Sequence, residues 1–137
     1  MKKTLSVLLF FVILFTQAQE NSNPVKELYH KKEVYITMRD GVRLFTSVYI
    51  PKDASADKKY PVLMQRTCYS VAPYGDNEYR KSLGPNRFMQ DDKYIFVYQD
   101  VRGRYMSEGT FVNMTPQVSH KKKKEGDEST DTYDTID

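Results

Sequence analysis

The sequence predicts an α/β protein in which an antiparallel entry hairpin leads into the first strands of a parallel sheet. Three observations carry that expectation. The stretch "EVYITMRDGVRLFTSVYIP" (33–51) alternates apolar and polar residues on both sides of an Asp-Gly turn. Two later runs, "PVLMQRT" (61–67) and "KYIFVYQDV" (93–101), are mostly apolar, as strands covered on both faces are. Between them lie a long loop and a short helical stretch, which is the rhythm of a βαβ unit.

The N-terminus reads as an address. Lys2 and Lys3 precede the apolar core "LSVLLFFVILF" (5–15), and "TQA" (16–18) puts small residues at the positions a signal peptidase requires. An eleven-residue core falls well short of the roughly 20 that span a bilayer, so residues 1–18 are expected to be a cleaved export signal rather than a membrane anchor. The protein is therefore expected in the periplasm or outside the cell. Without Lys2 and Lys3, the 21 basic residues fall to 19 against 18 acidic ones, a net charge of about +1. That near-balance argues against a nucleic-acid partner chosen by bulk charge. The single cysteine, Cys68, excludes an internal disulfide and lies far from any lipidation position.

Residues 19–32 ("QENSNPVKELYHKK") are polar, contain Pro24 and read as a leader, so residues 33–137 are expected to hold the fold. Val34, Ile36 and Met38 form one alternating run, and Val42, Leu44, Thr46, Val48 and Ile50 the next, with "RDG" (39–41) between them. "KDASADKKY" (52–60) is a solvated loop. The segment 68–86 is punctuated by Pro73, Gly75, Gly84 and Pro85; it is longer than a connector needs to be, and such loops are often functional. Asn86 caps a short helix in "NRFMQDD" (86–92). "RGRYMSEGTFVNM" (102–114) then forms a loop at a strand C-terminus, the edge where open α/β sheets bind ligands. "HKKKKEGDE" (120–128) is a solvated charge run. The closing "STDTYDTID" (129–137) offers Ser129, Thr130 and Asp131 as N-caps and begins an i, i+3 stripe at Tyr133 and Ile136. It has no C-cap glycine, basic last turn or proline, so the expectation is a chain cut short inside a helix.

Complete catalytic motifs are missing. The sequence has no G-x-S-x-G, G-x-G-x-x-G, Walker loop, H-E-x-x-H or paired-cysteine pattern. His30 and His120 lie in the leader and beside the lysines, where neither is suited to be a buried base or a metal ligand. Cys68 has no histidine partner and reads as a small thiol at a strand end. No cofactor and no metal are expected.

Four segments nevertheless occur in a telling order. "ITMRDGVRLFTSVYIP", "PVLMQRTCYS", "YIFVYQDVRGRYMSEGTF" and "DESTDTYDTID" closely resemble the N-terminal part of the α-amino-acid ester hydrolases, grouped with X-Pro dipeptidyl-peptidase and cocaine-esterase-like acyl hydrolases. The resemblance spans about residues 33–137, and its most specific piece is "YQDV" followed by "RGRYMSEGTF". It implies the N-terminal part of an α/β-hydrolase fold, incomplete before the nucleophile elbow, and a serine hydrolase acting through an acyl-enzyme on small esters, amides or short peptides. The Ser, Asp and His of the triad are absent from this chain, so it is expected to be inactive by itself. No membrane anchor is implied, and a homo-oligomer is allowed for the full-length protein.

One site residue carries over. The family places a tyrosine after its third strand, in an R-T-x-Y context, where its phenol helps form the oxyanion hole; here "RTCY" puts Tyr69 in that position, with Cys68 where proline is common. The chemistry is sound, because a phenol with an ordinary pKa near 10 stays protonated at neutral pH and can donate to developing negative charge. Packing beneath the loop is the alternative role for a tyrosine there. Asp100 and Arg102 are expected to tie down the loop after the last strand rather than bind substrate, and Arg104 belongs to the same cluster. The reading from a different class is a non-catalytic secreted β-rich binding domain, or a truncated pseudoenzyme.

Overall fold

The computed structural model describes residues 22–117 and 126–137. The segment expected to be an export signal (1–18), His120 and the lysines of 121–124 lie outside the described residues. In chain order the elements are α1 (Pro24–Leu28), β1 (Tyr29–Thr37), β2 (Arg43–Pro51), β3 (Val62–Thr67), α2 (Arg87–Asp91), β4 (Ile95–Asp100) and α3 (Glu128–Ile136).

The strands form one mixed sheet in the order β1-β2-β4-β3. β1 and β2 pair antiparallel from Tyr29 opposite Pro51 to Thr37 opposite Arg43. β2 also runs antiparallel to β4, and β4 runs parallel to β3 with Thr67 opposite Asp100. The hairpin closes as its sequence requires. Met38 and Gly41 join through a Gly41 N–H to Met38 O bond of 2.8 Å, and Met38 N–H donates to Val42 O at 2.8 Å. Gly41 takes the left-handed conformation, φ +90°, that completes a three-residue turn of this kind. The parallel pair β3–β4 is bridged by the long loop 68–86 and α2, whose first turn is capped by Asn86 through a 3.1 Å bond from Met89 N–H.

Side-chain alternation gives the sheet two unlike faces. Tyr29, Phe45, Tyr49, Phe96 and Tyr98 point to one side, where Val25 of α1 and Val71 and Leu83 of the long loop cover them. Tyr29 stacks at 6.0 Å from Phe96 and donates its hydroxyl to Gln90 O of α2 at 2.9 Å; burial pushes its phenol up to about 12. The other face carries Thr46, Gln99 and Arg66 beneath α3: Gln99 Nε2 donates to Thr46 Oγ1 and Thr135 Oγ1, and Arg66 Nε donates to Gln99 Oε1 at 2.7 Å.

Three expectations need correction. Residues 24–32 are not a leader. Val25 and Tyr29 are completely buried, and β1 starts four residues before Glu33. Its alternation was masked because Lys31 occupies an inward position, where carbonyl oxygens receive its ammonium. β3 is an edge strand with half-exposed residues, Val62 being 62% exposed, rather than a strand covered on both faces. The cap of α3 is Asp127, not Ser129, Thr130 or Asp131. Its carboxylate accepts Thr130 N–H at 2.9 Å while Thr130 Oγ1 accepts Asp127 N–H at 2.7 Å, a reciprocal capping box. Starting earlier rotates the helix: Thr130 and Asp131 face inward, whereas Tyr133 and Ile136 remain exposed.

Candidate functional site

β3 and β4 run parallel, so their C-terminal ends deliver two loops to the same edge of the sheet. The loop after β3 begins with Cys68 and Tyr69, and the loop after β4 is 101–114. This is the edge where the sequence predicts function.

Tyr69 stands on this edge 77% exposed, so it is not a packing residue beneath the loop. Its backbone, by contrast, is held. Tyr69 N–H donates to Thr67 Oγ1 at 3.0 Å, and the preceding carbonyl, Cys68 O, accepts from Arg104 Nε at 3.1 Å. Two residues on, Val71 N–H donates to Asp100 Oδ1 at 3.1 Å, and the Val71 side chain is buried in the core. A fixed backbone presenting an outward phenol is what a hydrogen-bond donor to a bound group needs.

Asp100 is the centre of the cluster. It is fully buried, and its Oδ2 accepts from the Tyr74 hydroxyl at 2.9 Å and from Met106 N–H at 3.4 Å. Burial raises the Tyr74 phenol above its ordinary value; the Ser70 hydroxyl works against that rise and the Asp100 carboxylate adds to it. The phenol therefore keeps its proton for Asp100 at neutral pH, and its oxygen accepts from Ser70 Oγ at 2.9 Å. The backbone of Asp100 is fixed as well. Its carbonyl accepts from Ser107 Oγ at 2.6 Å, and that same hydroxyl accepts Phe45 N–H at 2.9 Å.

The expected role of Asp100 in securing the loop after β4 is met through Met106 and Ser107. Arg102 meets it too, by charge-assisted bonds that reach outside the loop. It leaves the loop to join Asp40 of the hairpin turn, Nη1 to Oδ2 at 2.7 Å, with Asp131 of α3, Nη2 to Oδ1 at 2.6 Å. Arg104 is stacked between the rings of Tyr105 and Phe111, at 5.2 and 5.0 Å. His30 is exposed on β1 and is not part of this cluster. Cys68 is a free, partly buried thiol. Among the described residues no group of His, Cys, Asp or Glu is placed to hold a metal ion.

Sequence reasoning missed two contributors. Tyr74 was one of eleven tyrosines with nothing local to mark it. Lys31 was hidden in the supposed leader, and in β1 it lies on the face of Tyr29 and Glu33, opposite the Val34 and Ile36 that mark the strand in the sequence. Lys31 Nζ donates to Pro73 O, Gly75 O and Glu78 O at 2.7, 2.9 and 2.8 Å, holding the middle of the loop that Tyr69 begins.

The comparisons with known proteins bear on the family and the fold. The cocaine esterase of Rhodococcus sp. (strain MB1 Bresler) is 34% identical over 105 residues, which cover 75% of this chain and 15% of the esterase. An aminopeptidase from a marine sediment archaeon, Thaumarchaeota archaeon, is similar in structure with a TM-score of 0.64 and 38% identity, over 79% of this chain and 18% of its own. An α-amino acid ester hydrolase labelled with selenomethionine gives a TM-score of 0.62 and 38% identity over the same shares. This chain thus spans less than a fifth of the length of these relatives. Its mixed sheet corresponds to the N-terminal part of their α/β-hydrolase-like fold, as the sequence predicts. The family model for X-Pro dipeptidyl-peptidase (S15 family) matches residues 40–137, and the chain belongs to that family.

Proposed function

We propose that this chain is the N-terminal portion of an exported serine acyl hydrolase, which cleaves esters or amides of small acyl groups, or short peptides, through an acyl-enzyme. Tyr69 supplies one donor of the oxyanion hole. The observation that carries the reading is the contrast at Tyr69: a residue 77% exposed at the sheet's C-terminal edge, on a backbone tied to Thr67. Family membership supports the hydrolase class, and the relatives' names supply the range of substrates. The half-exposed surface of β3 fits a sheet that continues past it, and fits a self-contained binding domain poorly.

The roles divide simply. A serine outside these 137 residues attacks the acyl carbonyl, a histidine takes its proton, and the developing oxyanion accepts the Tyr69 hydroxyl hydrogen. A donor aimed at that charge contributes about 3 kcal/mol, roughly a hundredfold in rate. The 137-residue chain contains no G-x-S-x-G, so by itself it is inactive. Residues 1–18 direct export, and the mature protein starts at Gln19.

The test is hydrolysis of an amino-acid p-nitrophenyl ester by the full-length protein and by its Tyr69→Phe variant. The proposal expects turnover that falls about a hundredfold in the variant, and only background from the 137-residue chain. Activity in that chain, or a Tyr69→Phe enzyme of full rate, would sink it. N-terminal sequencing of the secreted product tests the export signal separately.

A further inference from the structure

We infer that Asp100 is a positioning residue for Tyr69: its buried carboxylate sets the backbone from which the phenol projects and locks the loop after β3 to the loop after β4. The inference rests on the oxyanion role proposed for Tyr69.

The geometry is that of a junction. Oδ1 of Asp100 accepts from Val71 N–H, two residues from Tyr69, and Oδ2 accepts from Tyr74 OH in the same loop and from Met106 N–H in the other. These donors are neutral, and the carboxylate they surround is completely buried. Burying a charge without a cation is costly unless several donors converge on it, so the three donors and the carboxylate hold one another in place. The chain continues outward, because Tyr74 accepts from Ser70 Oγ, which in turn accepts Ala72 N–H at 3.1 Å. Four of the residues from 70 to 74 are thereby tied, directly or through one or two hydroxyls, to a single carboxylate. On the other side of Tyr69, Arg104 from the β4 loop holds Cys68 O. The phenol itself is free to meet a ligand, while the peptide units around it cannot rotate without breaking bonds to the β4 end.

The carboxylate is needed as such. An asparagine in the same place offers one oxygen and one NH₂, and whichever way it turns the NH₂ faces a donor: Val71 N–H in one orientation, Tyr74 O–H and Met106 N–H in the other. Asp100→Asn must therefore break the Val71 bond in one orientation or the Met106 bond in the other, while leaving the volume unchanged. Tyr74→Phe is the milder perturbation. It removes one donor and the link to Ser70 but keeps the edge-on ring contact with Phe45 at 5.3 Å.

The experiment measures kcat and KM of the full-length protein on an amino-acid p-nitrophenyl ester for wild type, Tyr69→Phe, Asp100→Asn, Tyr74→Phe and the doubles with Tyr69→Phe. A positioning role predicts that Asp100→Asn lowers kcat by about 10- to 100-fold with KM changed less than about 2-fold, and Tyr74→Phe by about 3- to 10-fold. In each double the second substitution should add almost nothing to Tyr69→Phe, because the donor it positioned is already gone. A merely structural role would lower the melting point and multiply in the doubles. Multiplicative effects, or unchanged kcat in both single variants beside a slow Tyr69→Phe, overturn the inference and leave the oxyanion role standing. A full-rate Tyr69→Phe overturns the oxyanion role first, and the positioning role with it. If Asp100→Asn does not fold, the Tyr74→Phe pair decides.

Discussion

Arg102 grips Asp131 with two hydrogen bonds, Nε to Oδ2 at 3.1 Å and Nη2 to Oδ1 at 2.6 Å, and so fastens α3 to the loop after β4. Asp131 is 2% exposed, and its other cationic neighbour, Arg66 Nη2, stays at 3.7 Å. Because the same guanidinium also holds Asp40, removing it breaks one of two links between the helix and the hairpin turn, the other being Arg39 to Asp134. Arg102→Met is expected to destabilise the protein by about 3 kcal/mol, the low end for breaking a buried pair, since Arg66 still offers Asp131 partial compensation. Arg102→Lys should recover less than half, because one ammonium cannot bridge two carboxylates with paired bonds. Urea denaturation of the three proteins reads both effects.

Acid should loosen the same end of the molecule. The hydrogen bonds from Arg39 hold the Asp134 carboxyl below its ordinary value; at Asp40, burial opposes the shift, but Arg102 and the Val42 N–H outweigh it and the value again falls. A carboxyl whose pKa is lower in the folded state binds its proton more readily when unfolded, so stability rises with pH across that window. The contribution is complete above the ordinary carboxylate value of about 4, and is lost as pH falls through the lower folded value. Melting temperatures of wild type and Asp134→Asn, taken from pH 6 downward, should differ by a constant amount above about pH 5 and converge below about pH 4. Parallel curves throughout would show that Asp134 is not ionically coupled to Arg39.

The features legible in the sequence are those with local chemistry. Asp40-Gly41 fixed the hairpin because a left-handed glycine after aspartate has few other uses between β-rich runs. The parallel pair β3–β4 followed from two apolar runs separated by a loop and the capped helix α2, and Asn86 capped it as expected. What stayed hidden is non-local. Arg102 and Asp131 are 29 residues apart and Lys31 and Gly75 are 44 apart, and no periodicity marks residues that meet only after folding. Tyr69 lay between these cases: a resemblance singled it out, and the structure adds an exposed phenol on a tethered backbone.

The Arg-Gly pair of the "RGRYMSEG" motif has a steric origin. Gly103 sits at φ +67°, and a Cβ there would lie 2.1 Å from Phe111 N and 2.5 Å from the carbonyl carbon of Thr110, both backbone atoms that cannot swing away. The loop closes on itself at this point through Gly103 N–H to Glu108 O at 2.8 Å. Gly103→Ala is expected to cost about 3 kcal/mol or more, combining left-handed strain with a forced backbone shift. Gly41, at φ +90° but with nothing within 4 Å of a Cβ, is the control. Gly41→Asn should cost about 1 kcal/mol or less, because asparagine tolerates the left-handed region and meets no neighbour. Equal losses in the two variants, measured by thermal melts, would mean that crowding at Gly103 is not what fixes the glycine.

Lys31 gives the sharpest test of how the long loop is held. Its side chain is completely buried, its ammonium has three carbonyl acceptors from residues 73, 75 and 78, and Glu33 Oε1 lies 2.6 Å away. Glu33 in turn accepts Gly75 N–H, so one cation and one carboxylate organise both polarities of the same turn. An ammonium has three hydrogens, all of which have partners here, and a methionine of similar length would leave the three carbonyls without that donor and the Glu33 carboxylate without its cation. Lys31→Met is therefore expected to cost about 3–5 kcal/mol, the range for removing one partner of a buried ion pair. Adding Glu33→Gln should cost less in that background than in wild type, because the carboxylate then has no cation to lose. Limited proteolysis localises the effect. Lys31→Met should open cleavage at Arg80 and Lys81, within the loop, well before the sheet unfolds. A variant that melts earlier but shows no new cleavage there would mean that Lys31 stabilises the sheet as a whole, and that the loop carrying Tyr69 keeps its shape through its other tethers, Asp100 and Arg104 among them.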